Sequence, residues 1–235
     1  MTSLIEAKRQ LLSRWKQEGF DPKLLKAFEI VPREEFVPAE FREQAYVDQP
    51  LQIGFEQTIS QPTTILIMLS LLDPSTRPST QLGARSGQGP KVLEIGSGSG
   101  YVCALLAALG CRVTGIEIVP ELAVRVGRTL AKLGFDKSVT VHAADGGAGW
   151  EEDAPYDRIL ISAGAPDVPR HLLAQLKDGG ILVVPVGRVE QRMIVCRKKR
   201  GGEVTEEDHG AFLFVPLTGK WGAEGVGDMP NLPFI

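Results

Sequence analysis

The residues best suited to chemistry in this chain lie in one run, Lys91-Val92-Leu93-Glu94-Ile95-Gly96-Ser97-Gly98-Ser99-Gly100. A short apolar strand there enters a turn with glycine at alternate positions. Glycine has no Cβ, so the turn can be tight and a ligand can approach the backbone. A helical pattern, Tyr101 to Leu109, follows at once. The first N–H groups of a helix lack partners within it and are predicted to face the ligand, as in a nucleotide-type cofactor site. The same glycines could equally serve as plain structure, so the acids that follow them matter.

A dinucleotide fingerprint has its third glycine three residues after the second. Here that position is Tyr101, and Gly100 comes early, which weakens a nicotinamide or flavin reading. A second strand-like run, Arg112 to Glu117, ends in an acid that can accept from both ribose hydroxyls. A third ends His142-Ala143-Ala144-Asp145-Gly146, where Asp145 can accept from the exocyclic amine of adenine. Glu94, inside the first strand, fits a cofactor with a cationic amino-acid tail, acting through the loop backbone or a water. The acids follow the carboxyl ends of successive strands, where open sheets bind ligands. Together they suit S-adenosylmethionine, which carries an ammonium and a sulfonium and no pyrophosphate. Other readings stay open: Glu117 as a cap of the next helix or a solvated side chain, and Asp145 before Gly146-Gly147 as a simple turn.

These residues need a frame. Residues 4–17 show apolar positions at helical spacing (Leu4, Ile5, Leu11, Leu12, Trp15), and Gly19 suits the helix end. Asp21-Pro22 reads as an N-cap and first helical residue for a helix through Ile30. Gln61-Pro62 opens a third helix through Leu72. Residues 73–90 are low in complexity and are predicted to be a flexible surface loop. From Lys91 on, strand-like runs at 91–95, 112–117, 138–142, 157–162 and 180–186 are mostly separated by helical patterns at 100–109, 120–133 and 169–177. This alternation predicts an α/β fold, a doubly wound and mostly parallel sheet with right-handed crossovers. Runs 191–197 and 204–215 read as antiparallel strands at its edge, with Arg197-Lys198-Lys199-Arg200 at a solvated hairpin tip. The chain thus divides into an N-terminal helical segment (1–72), the loop (73–90) and a cofactor-binding domain (91–235).

The formal net charge is −3, which gives no electrostatic case for nucleic acid as a partner. Three cysteines, Cys103, Cys111 and Cys196, match no metal spacing and suit reduced thiols in the cytoplasm. The histidines His142, His171 and His209 are scattered, so no metal is expected. The N-terminus lacks the apolar core of a signal peptide. No apolar run approaches the roughly 20 residues that span a bilayer, so no membrane partner is expected.

Several runs carry a narrower signal. They are Val31-Pro32-Arg33-Glu34-Glu35-Phe36-Val37-Pro38, Ala45-Tyr46-Val47-Asp48-Gln49-Pro50-Leu51-Gln52-Ile53-Gly54 and Gln57-Thr58-Ile59-Ser60-Gln61-Pro62. The glycine loop, Asp145-Gly146 with Gly149-Trp150, Tyr156-Asp157-Arg158-Ile159, Gln175 to Gly180, Pro185-Val186-Gly187 and Phe214 to Gly219 follow. From about residue 31 to 222 the chain resembles the protein-L-isoaspartate (D-aspartate) O-methyltransferases. The glycine loop would match any class I methyltransferase; the Thr-Ile-Ser-Gln-Pro element is much more specific. The resemblance implies a class I fold with added N- and C-terminal segments. It implies methyl transfer from S-adenosylmethionine to the free α-carboxylate of L-isoaspartyl residues, and D-aspartyl residues, in damaged proteins. The ester then closes to a succinimide without enzyme help. It implies a cofactor set of Gln57, Thr58, Ile59, Ser60, Glu94, Gly96, Ser97, Gly98, Gly100, Glu117, Ile118, Asp145 and Gly146. Thr58, Ser60, Val215, Pro216, Leu217 and Thr218 are the implied acceptor set, with Ser60 orienting the carboxylate; apart from the resemblance, the protein is expected to act as a monomer. From local sequence alone Ser60 could instead be the N-cap of the helix at Pro62.

The chemistry agrees with the residues. A carboxylate is ionised near neutral pH and needs no general base, so the enzyme must align the reacting atoms and exclude water. Two departures stand out. Glu56 replaces a glycine frequent in bacterial members and is expected to face solvent or pair with an arginine. Ala144 replaces a glycine before Asp145. A methyltransferase for another carboxylate or small molecule, and a cofactor-binding interaction module without catalysis, are the competing readings.

Overall fold

The structure, a computed structural model, describes residues 3–74 and 89–222. Most of the predicted 73–90 loop, and the tail from 223, lie outside the described residues.

Helix α1 (Leu4–Gln17) starts where Ser3 accepts from the Glu6 N–H, and α2 (Pro22–Ile30) where Asp21 accepts from the Lys23 N–H. Both follow the predicted bounds. Their buried faces meet through Trp15 and Phe28, edge to face with centroids 5.0 Å apart. Phe28 in turn meets Tyr101, the first residue of the helix after the glycine loop, at 6.1 Å. The N-terminal helices therefore share one apolar core with the sheet domain.

Strands β1 (Leu51–Gly54) and β2 (Gln57–Ile59) form a small antiparallel hairpin that sequence patterning did not reveal. They are too short to show alternation. The turn residues Phe55 and Glu56 both have positive φ, +55° and +58°, the conformation of a type I′ turn that Asn-Gly would normally announce. Glu56 is exposed there, so its charge faces solvent.

Helix α3 (Pro62–Leu72) has Gln61 at its N-cap position, with no side-chain cap bond. Asp48 does the capping from a distant loop. It accepts from the Thr63 N–H at 2.9 Å and from the Thr63 hydroxyl, and Arg14 of α1 donates to it. Burial pushes the Asp48 carboxyl up, but the Thr63 hydrogen bonds and Arg14 outweigh it and hold its pKa below the ordinary value. A depressed carboxylate stabilises the fold above its unfolded pKa and loses that contribution as pH falls through its folded pKa. Asp48→Ala is expected to cost about 1 kcal/mol at pH 7, or about 2–4 °C in melting temperature. Thermal melts should show the gap to wild type closing as pH falls beneath the ordinary carboxylate range. A gap that stays the same as pH falls would mean the aspartate acts by packing, not charge.

The main sheet comprises β3 (Lys91–Ile95), β4 (Arg112–Glu117), β5 (Val139–Ala143), β6 (Tyr156–Ile161), β7 (Leu176–Val186), β8 (Gln191–Lys198) and β9 (Val204–Phe212). Their order is β5-β4-β3-β6-β7-β8-β9. The first five pair in parallel, and β8 and β9 complete the edge antiparallel. Helices α4 (Tyr101–Ala108) and α5 (Pro120–Lys132) are the crossovers from β3 to β4 and from β4 to β5. After β5 the chain returns to the other side of β3, so the strand order reverses between β3 and β6. The crevice at their carboxyl ends is where such a sheet binds its ligand.

The helix predicted at 169–177 is instead a 3-10 turn, Arg170–Gln175, and Leu176 already pairs with Tyr156. The Gln175 amide holds the loop after β5, accepting from the Trp150 N–H and donating to the Ala148 carbonyl. At the β8–β9 tip Lys198 donates to the Leu173 and Leu176 carbonyls, while Arg197 and Lys199 pair with Glu207 and Glu203 at the surface. Among the described residues no helix is long and apolar enough to cross a membrane, no cluster of three His, Cys, Asp or Glu could hold a metal, and all three cysteines are free and buried.

Candidate active site

The turn after β3 is closed by its own hydrogen bonds. Gly96 and Ser97 N–H donate to the Ile116 carbonyl, Gly100 N–H to the Ser97 carbonyl, and Tyr101 N–H to Ser99 Oγ. Gly98 N–H donates to Glu117 Oε2 at 2.7 Å. Of the N–H groups at the start of α4 expected to face a ligand, those of Tyr101 and Cys103 are taken, by Ser99 Oγ and Glu94. The start of α4 also holds an internal carboxyl group, because the Cys103 backbone N–H and Sγ–H donate to Glu94. A phosphate would find these donors taken, which favours a ligand without pyrophosphate. Gly98 and Gly100 have φ of +52° and +81°. A Cβ on Gly100 would lie 2.4 Å from Val126 Cγ1, so α5 packs directly on the turn.

Glu117 is buried at the end of β4 and braces this turn. Besides Gly98 it accepts from the Val119 N–H at 3.0 Å, so it also satisfies the entry to α5. Each of its oxygens retains an acceptor site for a ligand. Glu94 is 1% exposed beneath the turn and accepts from Cys103 Sγ at 2.8 Å and from Ser162 Oγ at 2.9 Å. Burial pushes its carboxyl up to about 7, against those hydrogen bonds and helped by the nearby Glu117 charge. The partners of Glu94 are thus a thiol, a hydroxyl and a backbone N–H.

A cleft opens over this turn. Gln57 and Thr58 of β2 and Val215, Pro216, Leu217 and Thr218 of the C-terminal segment cover it, opposite Gly96, Gly98, Glu117, Ile118 and Gly146. Its lining contains one carboxylate and no lysine or arginine, a charge balance suited to a cationic ligand. The sequence reading missed Ser162 and Ala163, at the end of β6, because nothing in Ile161-Ser162-Ala163-Gly164 is a motif. Its only available signal was position at the carboxyl end of the strand beside β3.

A second cleft adjoins the first and shares Thr58, Ser162 and Val215 with it. Ser60, Gln61 and Thr64 form a polar wall and Leu213 and Phe214 an apolar one. Ser60 is not the cap of α3, since Gln61 holds that position and Asp48 supplies the bond. Its hydroxyl has no partner among the described residues. Its carbonyl accepts from Arg33 Nη2 at 2.8 Å. Arg33 is fully buried, donates also to the Ala45 carbonyl, and lies over the Tyr101 ring at 5.2 Å. One guanidinium thus ties the Ser60 segment to the first residue of α4.

Five predicted cofactor residues do not line the clefts, Glu94 beneath the turn among them. Ile59 points into the apolar core, as alternation along β2 requires when Thr58 and Ser60 face outward. Ser97 is buried with an unpaired Oγ, and Gly100 faces α5. Asp145 is exposed beyond the first cleft, with one oxygen accepting from Gly147 N–H at 2.9 Å and the other from Lys220 N–H at 2.8 Å. The turn reading of Asp145 therefore holds, and each oxygen keeps a further acceptor site.

A family model described as protein-L-isoaspartate(D-aspartate) O-methyltransferase matches residues 6–222. A protein-L-isoaspartate O-methyltransferase of Methanopyrus kandleri is 46% identical over 222 residues, covering 92% of this chain and 93% of that one. Among solved structures, a protein-L-isoaspartate O-methyltransferase aligns with TM-score 0.75 and 26% identity over 92% of this chain and 67% of that one. A Plasmodium falciparum protein crystallised with S-adenosyl-L-homocysteine shares the fold, with TM-score 0.73 and 22% identity over 89% of this chain and 97% of that one.

Proposed function

This chain belongs to the protein-L-isoaspartate(D-aspartate) O-methyltransferase family, and from that premise we propose how its two clefts share the reaction. The protein transfers a methyl group from S-adenosyl-L-methionine to the α-carboxylate of L-isoaspartyl residues in proteins. The ester cyclises to a succinimide that can reopen to normal aspartate. The donor's sulfonium supplies the activated methyl group. We assign the donor to the cleft over the glycine turn and the acceptor to the cleft at Ser60. The observation that carries this assignment is the wall of Thr58, Ser162 and Val215 that the clefts have in common. A methyl group has to cross only there.

Ser60 orients the carboxylate, Glu117 accepts from the ribose hydroxyls, and Asp145 accepts from the adenine amine at the rim. Gln57, Thr58 and the 215–218 segment exclude water from above. No base is needed, because the nucleophile is already ionised. The test is incubation with labelled donor and matched aspartyl and isoaspartyl peptides. Base-labile label on the isoaspartyl peptide alone supports the reading; label on neither refutes it.

Asp145→Asn is expected to weaken S-adenosylhomocysteine binding by about fivefold to tenfold, the scale of one hydrogen bond. An amide presents a donor where one backbone N–H or the adenine amine needs an acceptor. Calorimetry with an analogue lacking the exocyclic amine separates the two. If that analogue loses as much affinity, the loss comes from the Gly147–Lys220 contacts and not from adenine.

A further inference from the structure

Two serine hydroxyls stand where the clefts meet, and their hydrogen bonds give them opposite polarity. Ser162 lines both clefts, and its Oγ–H donates to Glu94 Oε1 at 2.9 Å. A hydroxyl has one proton to give. With that proton directed inward, Ser162 offers the clefts only lone pairs. Ser60, with no partner for its hydroxyl among the described residues, keeps a proton for an anion. The acceptor carboxylate and the donor's tail carboxylate have no N–H or O–H for Ser162 to receive, whereas the donor's ammonium has three.

Charge points the same way. Glu94 is 1% exposed, and the groups that face it are Cys103 of α4, Ser162 at the end of β6 and Glu117 of β4. None is a cation, and a buried carboxylate without a countercharge is unfavourable. A cation in the donor cleft, one hydroxyl away from Glu94, would supply it.

We propose that Ser162, held by Glu94, is a positioning residue that receives the ammonium group of the methyl donor's amino-acid tail. The proposal rests on the assignment of the donor to the cleft over the glycine turn. Ligand pairs differing only in the tail test it: S-adenosylhomocysteine, and 5′-methylthioadenosine, which has the adenosine and sulfur but no ammonium. Calorimetry on the wild type, Ser162→Ala and Ser162→Thr is the measurement. Ser162→Ala should weaken S-adenosylhomocysteine about tenfold, the scale of a hydrogen bond to a charged group, and 5′-methylthioadenosine less than about twofold. Ser162→Thr, which keeps the hydroxyl, should restore the difference between the ligands. Equal weakening of both ligands by Ser162→Ala, or of neither, overturns the proposal. If the wild type binds neither ligand, the donor assignment itself fails.

Discussion

Ser60→Ala is expected to lower single-turnover methylation about 10- to 1,000-fold, equivalent to about 1.4–4 kcal/mol in the barrier. The nucleophile is an ion in need of orientation, not activation, and holding reacting atoms in line is the largest service such a site can render. Ser60 lines the second cleft, the one proposed to take the acceptor, with an unshared hydroxyl. Its backbone is pinned by Arg33, which is itself pinned to Ala45 and stacked on Tyr101. The serine is thus tied to the first residue after the glycine turn. Because Asp48 caps α3, loss of the Ser60 hydroxyl should leave the melting temperature near that of the wild type. Affinity for S-adenosylhomocysteine should also change less than turnover. A lowered melting temperature with near-normal methylation would reject the orienting role. Thermal stability, ligand binding and single-turnover rates measured on one preparation separate these outcomes.

Regular periodicity made the long elements legible. Asp21-Pro22 and Gln61-Pro62 marked helix starts that the structure keeps, and the alternation from Lys91 specified the parallel sheet. What remained hidden depends on contacts distant in sequence. The β1–β2 hairpin turns on Phe55-Glu56, which no turn rule favours, and is held in a three-dimensional setting in which Arg125 donates to the Ile53 carbonyl and lies over the Phe55 ring. The cap of α3 comes from Asp48, 15 residues upstream of Thr63, so Ser60 looked like a cap only while its partner was unseen. The place of Glu117 at a strand end was legible, because β-α-β order fixes where strand ends gather, but of the three acids it alone lines a cleft. The partners of the acids were not legible. Glu94 was expected to act through the loop backbone or a water, and its contacts include the Ser162 hydroxyl, 68 residues away.

Glu117→Ala is expected to weaken S-adenosylhomocysteine by about 1.5–3 kcal/mol, roughly 10- to 150-fold, because on the proposed assignment a charged acceptor for the ribose is lost. Turnover of the saturated enzyme should fall much less, since the ribose contacts are the same in ground and transition states. The structure adds a second route to the same loss. Glu117 also accepts from Gly98 and Val119 N–H, and removing it leaves the Gly98 N–H unpaired in a turn held at positive φ. Glu117→Gln distinguishes little by itself, as its amide group can serve only some of these donors. A ligand lacking the 2′-hydroxyl does distinguish them. If Glu117 meets the ribose, the substitution should matter less for that ligand than for the parent. If it acts only by bracing the turn, both ligands should lose the same factor, and the ribose assignment would be withdrawn. An unchanged dissociation constant for both would reduce Glu117 to the brace between β4 and α5.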